Sequence, residues 1–205
     1  MIEIIDGHSV DTSLLTGGCV LDAGARGFRF AREMASRGEW VTALEPDETD
    51  SHEPVKDIGR IHVKRAALIG GHWGWNGVGR TLEMLEDGEA RRIVEGVPTI
   101  RPVKTVQAYD IQILTLQHCG EVPWDLVKLN IEGSEYDVLA DWPGPIARQI
   151  SVSFHEHTDR RRGDDGIQKI VAHLSQWYRP ARHVKDERYC AGPNYWDSLF
   201  VRKDL

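Results

Sequence analysis

The residues of this 205-residue chain that could do chemistry follow short apolar runs, and the first group lies at 19–28, CVLDAGARGF. Asp22, Gly24 and Gly27 come directly after a buried-strand pattern. Glycines at a strand-to-helix turn let a ligand approach the backbone closely. A dinucleotide brings an anionic pyrophosphate to such a turn, and the carboxylate of Asp22 would repel it. S-adenosylmethionine instead brings an ammonium group and a sulfonium, so Asp22 favours S-adenosylmethionine over NAD.

A second group ends the next apolar run, in the segment VTALEPD at 41–47. Glu45 stands 23 residues after Asp22, at the end of the predicted second strand. An acid at this position accepts hydrogen bonds from both ribose hydroxyls of a nucleoside. Both cofactors carry that ribose, so Glu45 supports a nucleoside site without choosing between them. We expect Pro46 to stiffen the turn beside the adenine, and Asp47 either to reach the ribose or to cap the next helix.

A third group follows the apolar strand pattern that begins at Asp125. This strand delivers Asn130 and Glu132 to the carboxyl end of the sheet, where an open α/β fold has its ligand crevice. Gly133 allows a sharp exit from the strand, and Ser134 can cap the helix that follows. We therefore expect Asn130 and Glu132 to line the pocket in which the reaction takes place.

Two histidines end the next predicted strand, ISVSFHEH at 150–157. Alternation along a strand puts His155 and His157 on one face and Glu156 on the other. Three interpretations remain open. The imidazoles could hydrogen-bond loop backbone, one of them could act as a general base, or both could bind a metal together with Glu132. Two histidines and one carboxylate are a weak metal signature, so we expect no metal.

These segments together resemble the FkbM family of class I S-adenosylmethionine-dependent methyltransferases, over about residues 15–160. VLDAGARGF resembles that family's first motif, ALEPD its acidic second-strand motif, and KLNIEGSEYDVL its hallmark segment. Most members have aspartate where this chain has Asn130, and an amide is neither a base nor a good ligand for a hard cation. The resemblance implies O-methylation of a hydroxyl on a small molecule or saccharide, with Glu132 or His155 orienting or deprotonating that acceptor. It also implies a cofactor site formed by Asp22, Gly24, Ala25, Gly27, Glu45, Pro46, Asp47 and Ala67.

The elements that must position these residues alternate between strands and helices. We predict strands at 19–21, 40–44, 61–68, 125–131, 149–154, 183–187 and 198–201, and helices at 28–37, 134–139 and 166–178. Continuous apolar strands between helices indicate a mostly parallel sheet covered on both faces. We therefore predict a Rossmann-like α/β fold with a seven-stranded sheet. We expect a helix-like turn and then extended chain within 80–108. The glycine-rich stretch 70–80 is either a lid over the acceptor pocket or a surface hairpin.

Composition narrows the protein class further. Apolar residues make up 40% of the chain, which is typical of a globular domain. A net charge of -7 argues against a non-specific nucleic-acid binder. Three cysteines give no disulfide framework and suggest the cytoplasm. No apolar run reaches the roughly 20 residues of a membrane span.

We thus expect one domain, with a lead-in at 1–18, a cofactor-binding core at 19–160, and a terminal helix and strands at 161–205. The expected partner is a small-molecule or saccharide acceptor, with a homodimer as the expected assembly if the chain is not a monomer. A non-catalytic binding module and an NAD-dependent oxidoreductase remain as alternative functions.

Overall fold

The computed structural model describes residues 1–46, 59–70, 80–87, 90–94, 103–118, 122–155, 163–186 and 195–205. The strands are β1 (Ile2–Ile5), β2 (His8–Asp11), β3 (Cys19–Ala23), β4 (Trp40–Leu44), β5 (Ile61–Lys64), β6 (Ala66–Ile69), β7 (Arg80–Asp87), β8 (Ala90–Val94), β9 (Val103–Asp110), β10 (Leu126–Leu129), β11 (Gln149–His155), β12 (Tyr178–Asp186) and β13 (Tyr195–Arg202). The helices are α1 (Arg29–Ser36), α2 (Ile111–His118), α3 (Glu135–Ala140) and α4 (Gly163–Leu174), with short 3₁₀ turns at Thr12–Leu14 and Arg26–Phe28.

The main sheet has seven strands in the order β12-β13-β11-β10-β3-β4-β5. β3 is parallel to both β10 and β4, and β13 is antiparallel to both of its neighbours. The predicted Rossmann-like fold with a mostly parallel seven-stranded sheet is therefore confirmed. From β3 the chain continues to β4 on one side, whereas β10 lies on the other. Strand order reverses at this point, and an open α/β sheet binds its ligands in the crevice there.

Apolar side chains pack on both faces of the sheet, which explains why its central strands are apolar without alternation. One cluster joins β10 and β11 to α3 and α4 and includes Leu129, Val152 and Leu174. The other joins β3 and β4 to α1 and the β1–β2 hairpin and includes Phe30 and Met34. Side chains of both clusters are excluded from water, so the strands that carry the candidate site are held on two sides.

Several predicted elements differ from those observed. The predicted strand 61–68 is two strands, β5 in the main sheet and β6 in a second sheet, with Arg65 between them. That second sheet has the order β6-β9-β7-β8, so the described residues 80–87 and 90–94 form strands rather than the expected helix-like turn, while β9 agrees with the extended chain expected after it. Helix α4 begins and ends earlier than the predicted 166–178.

Other elements were not predicted at all. They include helix α2 and the β1–β2 hairpin, which lies within the expected lead-in. Most of the glycine-rich stretch, 71–79, lies outside the described residues. Among those that are described, no helix is long and apolar enough to cross a membrane.

A pair of buried carboxyl groups holds the loop before β3, at the edge of the sheet opposite the crevice. Asp125 Oδ2 accepts hydrogen bonds from Thr16 N at 2.6 Å and Thr16 Oγ1 at 2.7 Å, and Glu39 Oε1 accepts one from Gly17 N at 2.9 Å. Both carboxyl side chains are almost fully buried. Burial and the neighbouring Asp125 raise the pKa of Glu39 above its usual range. Glu39 therefore holds its proton more tightly in the folded state than in the unfolded state.

This arrangement predicts a pH-dependent loss of stability that depends on Glu39. An unfolded glutamate ionises near its ordinary pKa of about 4.3. The free energy of unfolding should therefore fall as pH rises from there through the raised pKa of Glu39. Glu39→Gln keeps an acceptor for Gly17 N and offers an amide donor towards Asp125. We expect it to reduce the fall in melting temperature between pH 5 and pH 8, measured by circular dichroism.

The control is Glu33→Gln on α1, where the glutamate side chain is 47% exposed. This variant should keep the slope of the unsubstituted protein. An unchanged slope in Glu39→Gln, or a lower melting temperature than the unsubstituted protein at pH 8, would contradict the assignment.

Candidate functional site

The glycine turn after β3 is fixed by its own backbone. Gly24 N and Ala25 N both donate to Leu44 O at the end of β4, each at 3.0 Å. Gly24 has a φ of +76°, and a Cβ built there would lie 1.8 Å from Asn130 O. Asn130 N in turn donates to Ala23 O at 3.1 Å. Position 24 thus requires glycine, because the turn presses directly on the chain that leaves β10.

The hydrogen bonds of the turn bear on which ligands it can bind. A phosphate site at a strand-to-helix turn depends on backbone N–H groups that point at the anion. The N–H groups of Gly24 and Ala25 are already used by Leu44 O. At Gly27, where φ is +69°, an added Cβ would meet no described atom within 4 Å, so there is room over this part of the turn. The geometry suits a ligand that approaches the backbone closely without needing the amides of Gly24 and Ala25.

Asp22 is buried and forms an ion pair. Its side chain is 0% exposed, and its Oδ1 accepts a hydrogen bond from Lys128 Nζ at 2.8 Å. Asp22 Oδ2 has no hydrogen-bond partner among the described residues. Asp22 is therefore not the uncompensated carboxylate that the sequence predicts, since its charge is balanced by Lys128. The remaining oxygen is an unused buried acceptor.

Among the other predicted cofactor residues that the structure describes, Glu45 and Pro46 follow β4, and Ala67 lies within β6. Glu45 is 6% exposed, comes directly after β4, and its N–H donates to Lys64 O at 3.2 Å. Pro46 follows it and is half-buried, whereas Asp47 lies outside the described residues. Ala67 is buried in β6, which belongs to the second sheet. Glu45 thus follows Leu44, whose carbonyl oxygen accepts the hydrogen bonds from the glycine turn. It lies at the same edge of the sheet as Asp22.

His155, at the end of β11, joins two glutamates from the loop and helix after β10. Its Nδ1 lies 2.6 Å from Glu135 Oε1, and its Nε2 lies 3.7 Å from Glu132 Oε1. Glu135 also accepts hydrogen bonds from Ile131 N and Gly133 N, each at 2.7 Å. Those bonds hold the loop in which Glu132 has a φ of +54°. Positive φ is uncommon for a residue other than glycine and costs of order 1–3 kcal/mol.

The charges of this cluster favour an ion pair. Burial alone would lower the pKa of His155, but Glu135 and then Glu132 outweigh it, so the pKa of His155 lies above its usual value. Burial alone would raise the pKa of Glu135, but His155 and the backbone N–H groups outweigh it, so that pKa is lowered. His155 is therefore favoured as an imidazolium. Glu132, whose side chain is 32% exposed, is the member of the cluster that solvent reaches.

The structure brings the predicted residues together in two groups. Asp22, Gly24 and Asn130 meet at the glycine turn, and Glu132 and His155 meet beyond the end of β10. His157 lies outside the described residues, so the shared face expected for the two histidines stays a prediction. Within the ranges described, no group of three His, Cys, Asp or Glu residues could hold a metal ion.

Two site residues were missed, Lys128 and Glu135. Both stand in the quoted segment KLNIEGSE, and a further signal was available for Lys128. A lysine inside an otherwise apolar, buried strand indicates an acidic partner, because a buried charge is stable only when it is paired. Asp22 has the corresponding position in β3, directly opposite Lys128 in the strand register.

Comparisons with known proteins support the fold. No protein-family model matches the chain, and no curated protein sequence matches it significantly. The fibrillarin pre-rRNA processing protein of Methanococcus jannaschii has a similar structure, with a TM-score of 0.54 and 9% identity over 96% of this chain and 71% of that one. A Listeria monocytogenes protein provisionally assigned as an S-adenosylmethionine-dependent methyltransferase gives a TM-score of 0.51 and 10% identity over 93% and 95%. The chain therefore has the Rossmann-like methyltransferase fold.

Replacing Gly24 or Gly27 by alanine should lower the free energy of unfolding by different amounts. Gly24→Ala places a methyl group against Asn130 O and should prevent the turn from closing on β10. We expect a loss of several kcal/mol in the free energy of unfolding, or failure to fold. Gly27→Ala is the matched control, because it bears only the cost of a left-handed residue, about 1–2 kcal/mol. Urea denaturation measures both, and equal losses in the two variants would contradict the described contact.

His155 is predicted to titrate above an ordinary histidine. In an NMR pH titration its imidazole signals should show a pKa above the ordinary histidine value of about 6.5. Glu135→Gln removes the principal carboxylate, so burial should then move the pKa of His155 down, below its value in the unsubstituted protein. The prediction is wrong if His155 titrates below that ordinary value in the unsubstituted protein, or if Glu135→Gln leaves its pKa unchanged.

Proposed function

We propose that the chain is an S-adenosylmethionine-dependent methyltransferase. The observation that carries this proposal is the glycine turn at the strand-order reversal. Its amides at Gly24 and Ala25 are used internally, and a buried Asp22 oxygen is left as an acceptor. A pyrophosphate would find the amides of Gly24 and Ala25 already used and the carboxylate of Asp22 beside the turn, whereas an ammonium group would find an acceptor. These features argue against the NAD-dependent alternative.

The described residues fit S-adenosylmethionine in the following way. Asp22, Gly24, Ala25 and Gly27 would hold the methionine part, because the turn gives close approach and Asp22 Oδ2 needs a donor. Glu45 would accept the hydroxyls of the ribose. Pro46 and Ala67 would lie beside the adenine, as the resemblance of the sequence to the FkbM family implies.

The reaction requires little of the protein beyond alignment and proton removal. When bound, S-adenosylmethionine supplies a methyl group that its sulfonium already activates. The chain must then hold the acceptor in line and exclude water. Glu132 is the group we assign to the acceptor, because its carboxylate is partly exposed at the crevice while its backbone is held in an unfavourable conformation. It accepts a hydrogen bond from the acceptor and takes up its proton as the methyl group is transferred.

His155 has a different role in this proposal from that of a base. An imidazolium has no free lone pair with which to remove a proton, and the pKa of His155 is raised by Glu135 and Glu132. We therefore infer that His155 orients Glu132 through its Nε2, while Glu135 fixes the ring through Nδ1. Asn130, which follows β10, lines the same pocket and is available as a hydrogen-bonding group rather than a base.

The acceptor we propose is a hydroxyl on a small molecule or saccharide. A carboxylate at Glu132 suits a neutral acceptor that must lose a proton. The likeness of residues 125–139 to the hallmark segment of the FkbM family supports oxygen as the nucleophile.

Substitution of Glu45 tests the cofactor site. Glu45→Ala removes two hydrogen bonds to a charged, buried group, each worth about 1.5–3 kcal/mol. Binding of S-adenosylhomocysteine, measured by calorimetry, should therefore weaken at least tenfold, since about 1.4 kcal/mol corresponds to a factor of ten. Glu33→Ala on the exposed face of α1 is the control and should bind as the unsubstituted protein does. Unchanged affinity in Glu45→Ala would reject the assignment of the ribose site.

Substitution of Glu132 tests the chemistry. With methyl-labelled S-adenosylmethionine and a panel of hydroxylated small molecules and saccharides, label transfer should fall at least a hundredfold in Glu132→Gln. Affinity for S-adenosylhomocysteine should stay within a few-fold. If the unsubstituted protein binds the cofactor but transfers no label to any acceptor of the panel, the result favours the non-catalytic binding module.

A further inference from the structure

Lys128 is a buried lysine whose donors are directed at the cofactor turn. Its side chain is 3% exposed, and Nζ lies 2.8 Å from Asp22 Oδ1, 2.9 Å from Gly24 O and 3.4 Å from Ala23 O. A lysine ammonium has three N–H donors and no acceptor. All three acceptors belong to the end of β3 and the turn that follows it. Lys128 is therefore committed to the turn rather than to a ligand.

These contacts fix the turn from the side of β10. On the side of β4, the amides of Gly24 and Ala25 donate to Leu44 O. On the side of β10, the carbonyl of Gly24 accepts from Lys128 Nζ. The peptide groups of the turn are thus held from both neighbouring strands. The same lysine balances the charge of Asp22, whose second oxygen lacks a partner among the described residues.

We propose that Lys128 is the positioning residue of the cofactor site. It sets the conformation of the glycine turn through the Gly24 carbonyl, and it neutralises Asp22 so that Oδ2 accepts a hydrogen bond without a net negative charge. This inference rests on the proposed function. It also makes Lys128 a determinant of cofactor selectivity, because S-adenosylmethionine carries one more positive charge than S-adenosylhomocysteine.

The test compares the affinities of both ligands in charge variants, at pH 8.5, by calorimetry. Lys128→Met leaves Asp22 without its counter-ion and Gly24 O without its donor. S-adenosylhomocysteine should bind at least tenfold more weakly. S-adenosylmethionine should lose less, because its sulfonium is attracted to the uncompensated carboxylate. The ratio of the two dissociation constants should therefore shift at least threefold in favour of S-adenosylmethionine. A purely structural defect would weaken both ligands by the same factor.

A double variant keeps the test decisive if the single variant does not fold. Asp22→Asn combined with Lys128→Met removes both buried charges, so it should fold and recover the ligand ratio of the unsubstituted protein. Both affinities should remain at least tenfold weaker, since Gly24 O still lacks its donor. Lys169→Met on the exposed side of α4 is the control and should change neither affinity nor ratio.

The outcomes separate this inference from the proposed function. If the unsubstituted protein binds neither ligand, the proposed function fails and the role of Lys128 fails with it. If the unsubstituted protein binds both ligands and the double variant binds them equally well, the positioning role is wrong while the function stands. An equal loss of both ligands in Lys128→Met would overturn the part of the inference that concerns charge.

Discussion

The buried ion pair between Lys128 and Asp22 is the interaction on which the rest of the site depends. Both side chains are almost completely excluded from water, and they join β10 to β3 where the strand order reverses. Removing one partner of such a pair typically costs about 3–5 kcal/mol, because the other charge is left buried alone. The pair therefore couples the stability of the central strands to the conformation of the glycine turn. The fold thus keeps two paired charges in its core at the point where a ligand is expected.

A second buried ion pair, between Glu135 and His155, does the equivalent work on the other side of β10. It joins the first turn of α3 to the end of β11. Glu135 also accepts hydrogen bonds from two amides of the loop between β10 and α3. Glu132 is held in that loop with a positive φ. One ion pair thus shapes the turn proposed for the cofactor, and the other shapes the loop proposed for the acceptor. Both lie at the carboxyl end of the same sheet.

Local sequence patterns predicted the buried strands and the mostly parallel sheet, but not the second sheet. The strand Trp40–Leu44 has the predicted bounds because a continuous apolar run is visible within five residues. The run 61–68 was misjudged because its division between two sheets depends on partners far along the chain, among them β9. The residues of the glycine turn were found from their types and spacing. Lys128 was missed because its partner is 106 residues away, and that contact exists only once β3 and β10 are adjacent.

The most direct test of the account is a calorimetric titration of the unsubstituted protein with S-adenosylhomocysteine and NAD in parallel. A turn whose Gly24 and Ala25 amides are already used, and beside which a buried Asp22 oxygen accepts a donor, should bind S-adenosylhomocysteine saturably, with one site per chain, and should not bind NAD. Binding of NAD with no binding of S-adenosylhomocysteine would contradict the account, because the turn would then accept a pyrophosphate although the amides of Gly24 and Ala25 are already used by Leu44 O.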